Sequence, residues 1–280
     1  MASPSPSLND NPPAMLSPNY QVVKEMQPQG KDNDRVSYLA QVIDGPTPTQ
    51  PEELVVITQW RCPCGPDQAV PRQPWEVQQH QLNAIKLLQR LDHPRIPRYR
   101  DSFTDEGGFY VVQDYVALKP LGDRENLTPQ ELKTVASSVL EILLYLQNLN
   151  PIVIHGNLTP QNILITEDLE VYLVNFHGPH PFDQTKAPTV KLPGTAGLIP
   201  PELLFQLSLN ESADLYSLGV SLISILTGYG IEDLPKLYDR YFQLKFQQKL
   251  TGLLHSDLIR WLEKWWNPIA IGVLPMPKLP

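Results

Sequence analysis

One stretch of the sequence decides the fold, and it reads Ile154-His155-Gly156-Asn157-Leu158-Thr159-Pro160-Gln161-Asn162-Ile163-Leu164. Pro160, Ile163 and Leu164 are expected to shape and pack this loop. Its polar centre carries two amides, Asn157 and Asn162. An amide has no useful basicity at about pH 7, so Asn157 cannot act as a general base. Whether the chain is an enzyme depends on this residue and on what accompanies it.

Length and composition indicate a globular protein. The chain has 280 residues, of which 41% are hydrophobic and 19% are charged, and this length suffices for one large domain or two lobes. The formal net charge of -8 argues against a nucleic-acid or anionic-membrane binder, because either would favour a basic face. The longest apolar run, residues 218–226, is too short and too mixed to span a bilayer, so no membrane span is expected.

Cysteine usage and the N-terminus indicate a cytoplasmic protein. The two cysteines, Cys62 and Cys64, are too close for an easy disulfide, and no second pair completes a zinc site. Two reduced thiols fit a reducing cytoplasm. No basic start is followed by an apolar run, so no signal peptide is expected.

Strand patterns dominate the sequence up to residue 116. The Pro/Ser/Asn-rich residues 1–18 are predicted to be disordered. One helix is predicted at residues 75–91, where apolar residues recur at helical spacing. Short apolar stretches separated by turn residues predict five strands, at residues 20–26, 35–43, 53–60, 98–103 and 108–115. The pattern therefore predicts a five-stranded sheet with a single helix.

Helix patterns dominate after Val116. Thr128-Pro129-Gln130-Glu131 is a capping box with proline at the first helical position, and it opens a long helix. A second helix at residues 212–227 is apolar nearly all round, so it should be buried. Ser256 is predicted to cap a third helix. A strand-rich half followed by a helix-rich half predicts an α+β fold with two lobes.

The order of several motifs resembles that of a known family. Tyr38-Leu39-Ala40 resembles the end of a second strand, and residues 91–97 resemble the turn after the first helix. Residues 194–202 look like the end of an activation segment, and residues 214–219 look like a buried central helix. The opening stretch looks like the catalytic loop His-Arg-Asp-Leu-Lys-Pro-Glu-Asn. On these residues the chain resembles the eukaryotic-like serine/threonine protein kinases, in the form found in bacteria.

The resemblance implies a bilobal protein kinase-like fold. Residues 19–116 would form a five-stranded antiparallel N-lobe with one helix, and residues 117–267 a mainly helical C-lobe that is shortened at its C-terminus. Residues 1–18 would form a disordered N-terminus, and residues 268–280 an apolar, proline-rich tail. The tail could cover the surface that the missing helices expose, be disordered or bind a partner, and docking on its own domain is preferred.

The resemblance also implies a nucleotide site that has lost its charged groups. Among the glycine-loop positions only Gly30 keeps a glycine, because Asp32 and Arg35 occupy the other two. Thr58 stands at the position of the lysine that holds the phosphates, and Ala84 at that of its glutamate partner. The two losses are consistent with each other, because loss of the lysine alone would leave an unpaired and partly buried glutamate, which would destabilise the fold.

The positions for proton transfer and metal binding have also lost their charged residues. Asn157 replaces the aspartate base, Asn162 matches an asparagine that helps bind a second magnesium, and Asn175 replaces the aspartate of the Asp-Phe-Gly motif. Magnesium prefers anionic oxygens, so no metal site is expected. Adenine would be held by backbone groups of the hinge, between Asp114 and Val116. No cofactor is expected, and ATP with magnesium is the alternative.

These losses predict a pseudokinase that acts as a regulatory or scaffolding module in the cytoplasm. It would bind a protein partner, an active kinase or its substrate, without phosphotransfer. The alternative is a weak ATP-dependent protein serine/threonine kinase or a nucleotide-sensing domain.

Overall fold

The structure is a computed structural model that describes residues 15–26, 35–43, 53–60, 74–105, 108–124, 127–176, 212–237, 245–250 and 256–266. The chain forms two compact units, one within residues 1–28, 33–68 and 99–115 and the other within residues 29–32, 69–98 and 116–280. Strands and helices together make an α+β fold, as the sequence predicts. No helix within the described ranges has the length and apolar character needed to cross a bilayer.

The first unit is built on an antiparallel sheet with the strand order β1-β2-β3-β4-β6-β5. Its strands are β1 (Met15–Ser17), β2 (Tyr20–Glu25), β3 (Arg35–Val42), β4 (Leu54–Trp60), β5 (Tyr99–Asp105) and β6 (Gly108–Asp114). Side chains alternate between the two faces of a strand, and along β4 Val55, Ile57 and Gln59 are buried while their neighbours are partly exposed. Val55 and Ile57 form the core of this unit with Tyr110 and Val112 of β6.

The sheet has six strands where the sequence predicts five. The additional strand, β1, pairs with the start of β2 and lies inside the segment 1–18 that is predicted to be disordered. That prediction is wrong at Met15–Ser17, because pairing with β2 satisfies backbone groups whatever the composition of the segment. Residues 1–14 lie outside the described residues. The five predicted strands are present, with small shifts at their ends.

The predicted helix of the N-lobe belongs to the second unit. It forms α1 (Pro74–Arg90), and the structure groups residues 69–98 with the helical part of the chain. The backbone N–H of Asp92 donates to the hydroxyl of Tyr145 at 2.9 Å, so the turn after α1 is tied to that part. The boundary predicted for residues 19–116 therefore differs from the observed grouping at this helix.

Helices make up most of the described second unit, and local sequence signals explain where they begin. Besides α1 they are α2 (Pro129–Gln147), α3 (Ser212–Thr227), α4 (Gln247–Leu250) and α5 (Ser256–Trp266). The predicted capping box is confirmed, because Thr128 and Glu131 each accept a hydrogen bond from the backbone N–H of the other, at 3.2 and 2.8 Å. Ser256 is the first residue of α5. As predicted, α3 is buried along most of its length, and α5 packs against it.

A small antiparallel sheet positions the candidate site in the second unit. Its strands are β7 (Lys119–Pro120), β8 (Ile163–Ile165) and β9 (Val171–Leu173), in the order β7-β8-β9. Asn162 immediately precedes β8, and Asn175 follows shortly after β9. Because β8 and β9 are hydrogen-bonded neighbours, these two asparagines come close together.

Candidate functional site

The loop from His155 to Asn162 begins on a buried carboxylate. Asp214, in the first turn of α3, accepts the backbone N–H of His155 on Oδ2 at 2.7 Å and that of Gly156 on Oδ1 at 2.9 Å. Burial raises the pKa of Asp214 to about 6, and the two backbone hydrogen bonds oppose this rise. Gly156 has a φ of +70°, a left-handed conformation that glycine adopts without steric cost. A glycine at position 156 therefore suits the turn that follows the hydrogen bonds to Asp214.

His155 is buried and neutral. Its Nδ1 accepts the backbone N–H of Asn157 at 3.2 Å, and its Nε2 lies 3.1 Å from the carbonyl oxygen of Val174. A carbonyl can only accept, so Nε2 carries the proton and Nδ1 does not. Burial lowers the pKa of His155 to about 3, which agrees with a neutral ring. The imidazole also packs against the ring of Phe176, with 4.3 Å between the ring centroids.

Three asparagine side chains close a ring of hydrogen bonds, which we call the amide ring (Asn157, Asn162 and Asn175). Nδ2 of Asn162 donates to the backbone carbonyl of Asn157 at 2.8 Å, and Nδ2 of Asn157 donates to the backbone carbonyl of Asn175 at 3.2 Å. Nδ2 of Asn175 donates to Oδ1 of Asn162 at 2.9 Å and completes the ring. The amide ring therefore joins the loop to the segment after β9.

The segment after β9 has a defined backbone conformation. Asn175 has a φ of +60°, in the left-handed region that asparagine tolerates better than most residues. Just before it, the backbone N–H of Val174 donates to the carbonyl of Asn162 at 3.1 Å. Phe176, which follows, is buried and contacts His155. The amide ring thus sits where the loop and this segment are already bonded through their backbones.

The amide ring does not fit magnesium in the way that the resemblance implies. Magnesium binds oxygen ligands, usually carboxylates, in near-octahedral geometry. At the two positions assigned to metal binding, Asn175 presents an N–H group, and Oδ1 of Asn162 already accepts it at 2.9 Å. Within the described residues, no group of three or more His, Cys, Asp or Glu residues could hold a metal ion.

The middle of the loop is held by packing and neutral hydrogen bonds. Ser221 of α3 donates its hydroxyl to the carbonyl of Leu158 at 2.9 Å, and the carbonyl of Pro160 accepts the backbone N–H of Gly122 at 3.1 Å. Thr159 is 9% exposed, and its hydroxyl oxygen has no hydrogen-bond partner among the described residues. Within the part of the chain that the structure describes, these hydrogen bonds therefore all join neutral groups.

The first unit holds two of the predicted nucleotide-site residues. The hydroxyl of Thr58 shares a hydrogen bond with that of Ser37 on the neighbouring strand, at 3.2 Å. Asp114 at the end of β6 forms an ion pair with Arg100, which also pairs with Glu53 at 2.9 Å. Both predicted site residues therefore have bonding partners within their own sheet.

The remaining predicted positions lie elsewhere. Ala84 is fully buried on α1. The carbonyl of Val116, in the second unit, accepts the backbone N–H of Leu118 at 2.8 Å. Gly30 and His177 lie outside the described residues. A nucleotide site that unites Gly30, Thr58, Asp114, Val116 and Asn175 therefore stays a prediction.

The structure brings together the three predicted asparagines, and it adds two residues that the sequence did not single out for the site. Asp214 anchors the start of the loop, and His155 links the loop to the segment after β9. A signal for Asp214 was available, because an acidic residue at the start of a nearly all-apolar helix needs buried hydrogen-bond donors. No comparable signal marked the ring contact between His155 and Phe176.

Comparison with known proteins places these features in a family context. The protein kinase domain family matches residues 69–251. The chain is 29% identical over 188 residues to the calcium/calmodulin-dependent protein kinase type 1 of Macrobrachium nipponense, which covers 65% of this chain and 52% of that protein. It is 30% identical over 152 residues to the calcium/calmodulin-dependent protein kinase cmkA of Emericella nidulans, covering 52% of this chain and 36% of that protein.

A third relative extends the same pattern. The chain is 28% identical over 174 residues to a probable myosin light chain kinase of Dictyostelium discoideum, covering 55% of this chain and 53% of that protein. The chain thus spans about half the length of these curated relatives, or less.

Proposed function

This chain belongs to the protein kinase domain family, and from that premise we propose that it is a pseudokinase. It keeps the kinase scaffold as a regulatory or scaffolding module and does not transfer phosphate. The proposal rests on the residues that occupy the positions for proton transfer, metal binding and phosphate binding. Thr58, Asn157 and Asn175 stand at these positions, and each has a neutral side chain.

Asn157 carries the proposal. It stands where the family resemblance places the general base, and its side-chain N–H donates to the carbonyl of Asn175 at 3.2 Å. A general base must accept the proton of the attacking hydroxyl, which an amide cannot do at about pH 7. Loss of the base alone typically removes about 10²–10⁴-fold in rate. Asn157 acts here as a hydrogen-bond donor that ties the loop to the following segment.

The positions for phosphate and metal binding support the same conclusion. Thr58 is uncharged and is hydrogen-bonded to Ser37 within the sheet. Ala84, at the position of the family's glutamate, is fully buried and needs no cationic partner. Asn175 offers a donor where the family has an anionic metal ligand. These changes remove charges that would act on one transition state, so turnover should be very low.

A binding role follows from what the scaffold retains. The loop is held by hydrogen bonds to Asp214, from Ser221 and within the amide ring. We assign it a protein partner, an active kinase or a substrate of one, and a cytoplasmic location. The net charge of -8 disfavours a nucleic acid as that partner.

Protein kinase activity is the second candidate function, and the names of the relatives favour it. The relatives compared above are called protein kinases, so this chain could be a weak ATP-dependent serine/threonine kinase. A nucleotide-sensing domain is the intermediate case. Recognition of adenine by backbone groups between Asp114 and Val116 would not depend on the charged side chains that are missing.

A phosphotransfer assay tests the proposal directly. Wild-type protein and an Asn157→Ala variant are incubated with radiolabelled ATP, magnesium and generic serine/threonine substrates, and autophosphorylation is followed in parallel. We expect equal, background incorporation in both proteins. Incorporation by the wild type clearly above that of the variant would overturn the pseudokinase proposal and favour the kinase.

A binding measurement separates the nucleotide-sensing case. A ligand at 100 times its Kd adds about 2.7 kcal/mol of stability, which gives a visible rise in melting temperature. We expect no rise with ATP, with or without magnesium. A rise without turnover would identify a nucleotide-sensing domain, and a rise with turnover would identify a kinase.

A further inference from the structure

The amide ring has a determined donor and acceptor pattern. Asn157 and Asn162 each direct Nδ2 at a backbone carbonyl, at 3.2 and 2.8 Å. A carbonyl oxygen accepts and never donates, so neither amide can be turned over without losing its bond. Oδ1 of Asn162 must then face the third member, and the atom of Asn175 opposite it must be the donor Nδ2, at 2.9 Å. The donors and acceptors of these three hydrogen bonds are therefore fixed in a single arrangement.

The contact between Asn162 and Asn175 coincides with the two positions that the resemblance assigns to magnesium. In a metal site, both residues would direct oxygens at the same cation. Here one residue directs an N–H group at the oxygen of the other. The oxygen of a fully buried Asn162 is thus bound by a protein donor, and a magnesium ion would have to displace that donor.

These residues do not fit the family's metal site, because a donor faces the oxygen where a metal ion would lie. We infer that the Asn175–Asn162 hydrogen bond takes the structural role that a metal ion would have in that site. It holds the loop to the segment after β9 without magnesium. The inference rests on the proposed lack of phosphotransfer, because a working kinase would need the metal at this place. It adds to that proposal a metal-independent lock with a named donor and acceptor.

The lock controls the conformation of the residues around Asn175. Asn175 is in the left-handed region, a conformation that is kept only when its surroundings favour it. Its carbonyl accepts from Asn157 and its side chain donates to Asn162, so both groups are used in that conformation. Phe176 is thereby kept against the ring of His155, 4.3 Å away.

The variant Asn175→Asp tests the lock by exchanging Nδ2 for an oxygen of similar size. Two acceptors would then face each other where a 2.9 Å hydrogen bond now exists. Magnesium could relieve this repulsion, because it binds carboxylate and amide oxygens. Without magnesium and nucleotide, we expect a melting temperature about 3–8 °C below that of the wild type. Millimolar magnesium should restore most of this loss.

Two comparisons make the result specific. Wild-type protein should melt at the same temperature in magnesium and in EDTA. The matched control is Asn19→Asp, the same chemical change at an exposed residue in the turn between β1 and β2, and it should neither lower the melting temperature nor respond to magnesium.

Three results would overturn the inference. The first is a wild-type melting temperature that rises with magnesium, and this measurement decides even if Asn175→Asp does not fold. The second is an Asn175→Asp variant that melts like the Asn19→Asp control. The third is a loss of stability that magnesium does not reverse, since a metal ion could then not take the place of the Asn175–Asn162 hydrogen bond. Failure of the proposed function is seen in a different assay, as ATP-dependent label transfer.

Discussion

The backbone N–H of His155 donates to Oδ2 of Asp214 at 2.7 Å, across 59 residues of sequence. Both side chains are buried, because His155 is 0% exposed and Asp214 is 3% exposed. Burial lowers the pKa of His155 below its ordinary value and raises the pKa of Asp214 above its ordinary value. The start of the loop from His155 to Asn162 therefore contains two sources of pH dependence.

The two groups should nearly cancel in the stability of the wild type at mildly acidic pH. Burial lowers the pKa of His155 from 6.5 to about 3. The stability that the neutral imidazole contributes is therefore fully present above pH 6.5 and is lost as the pH falls. Burial raises the pKa of Asp214 from 3.8 to about 6. The stability that the protonated carboxyl contributes is therefore fully present below pH 3.8 and is lost as the pH rises. Between these limits the two slopes oppose each other.

An Asp214→Asn variant should separate the two contributions. Without the carboxylate, the free energy of unfolding should fall relative to the wild type as the pH is lowered from about 6 to 4, by about 1.4 kcal/mol per pH unit. Urea denaturation at a series of pH values measures this difference. The control is Asp168→Asn, at an exposed residue between β8 and β9, and it should follow the wild-type curve. Parallel curves for wild type and Asp214→Asn would contradict the prediction.

Ser138 should matter more to stability than Glu141, although both bind the Arg95 guanidinium, at 2.6 and 2.7 Å. The Ser138 hydroxyl is buried and also accepts the backbone N–H of Val171 at 3.2 Å, so Ser138→Ala leaves that buried donor unpaired. We expect a loss of about 1–3 kcal/mol in the free energy of unfolding. The Glu141 side chain is 67% exposed, so Glu141→Gln should cost at most about 1 kcal/mol. Urea denaturation gives the order, and a larger loss for Glu141→Gln would reverse this account.

The capping box of α2 offers a local test. Thr128→Ala removes the oxygen that accepts the backbone N–H of Glu131 at 3.2 Å, and loss of such a cap costs about 0.5–2 kcal/mol in the free energy of unfolding. The control is Thr134→Ala in the same helix, where the exposed hydroxyl only bonds back to the carbonyl of Gln130. Because alanine is a good helix former, this control should be neutral or slightly stabilising. Equal losses for the two variants, measured by thermal unfolding, would rule out a special role for the cap.

Features that depend on neighbouring residues could be predicted from the sequence. The cap at Thr128 could be predicted because its partner Glu131 is on the same turn. The strand β4 could be predicted because Val55, Ile57 and Gln59 alternate with partly exposed residues. The buried α3 is visible because apolar residues cover nearly all its faces. In each case the physical cause lies within one turn or one strand.

Features that depend on distant residues could not be predicted in the same way. The strand β1 consists of Met15–Ser17 alone, which is too short for alternation to be recognised, and pairing with β2 is what forms it. The bond between His155 and Asp214 spans 59 residues. The amide ring could be predicted only as a set of three neutral residues, because its donors and acceptors follow from the left-handed backbone of Asn175.

A single reversion at the base position should not restore phosphotransfer. Asn157→Asp supplies a carboxylate, but Thr58 and Asn175 still leave the phosphate and metal positions without charge, and groups that act on one transition state do not contribute independently. The new carboxylate also cannot donate to the carbonyl of Asn175, which now receives a hydrogen bond at 3.2 Å. We therefore expect radiolabel transfer by Asn157→Asp to equal that of Asn157→Ala. Transfer more than about 10-fold higher, equivalent to about 1.4 kcal/mol of transition-state stabilisation, would mean that the base alone is missing from an otherwise competent site.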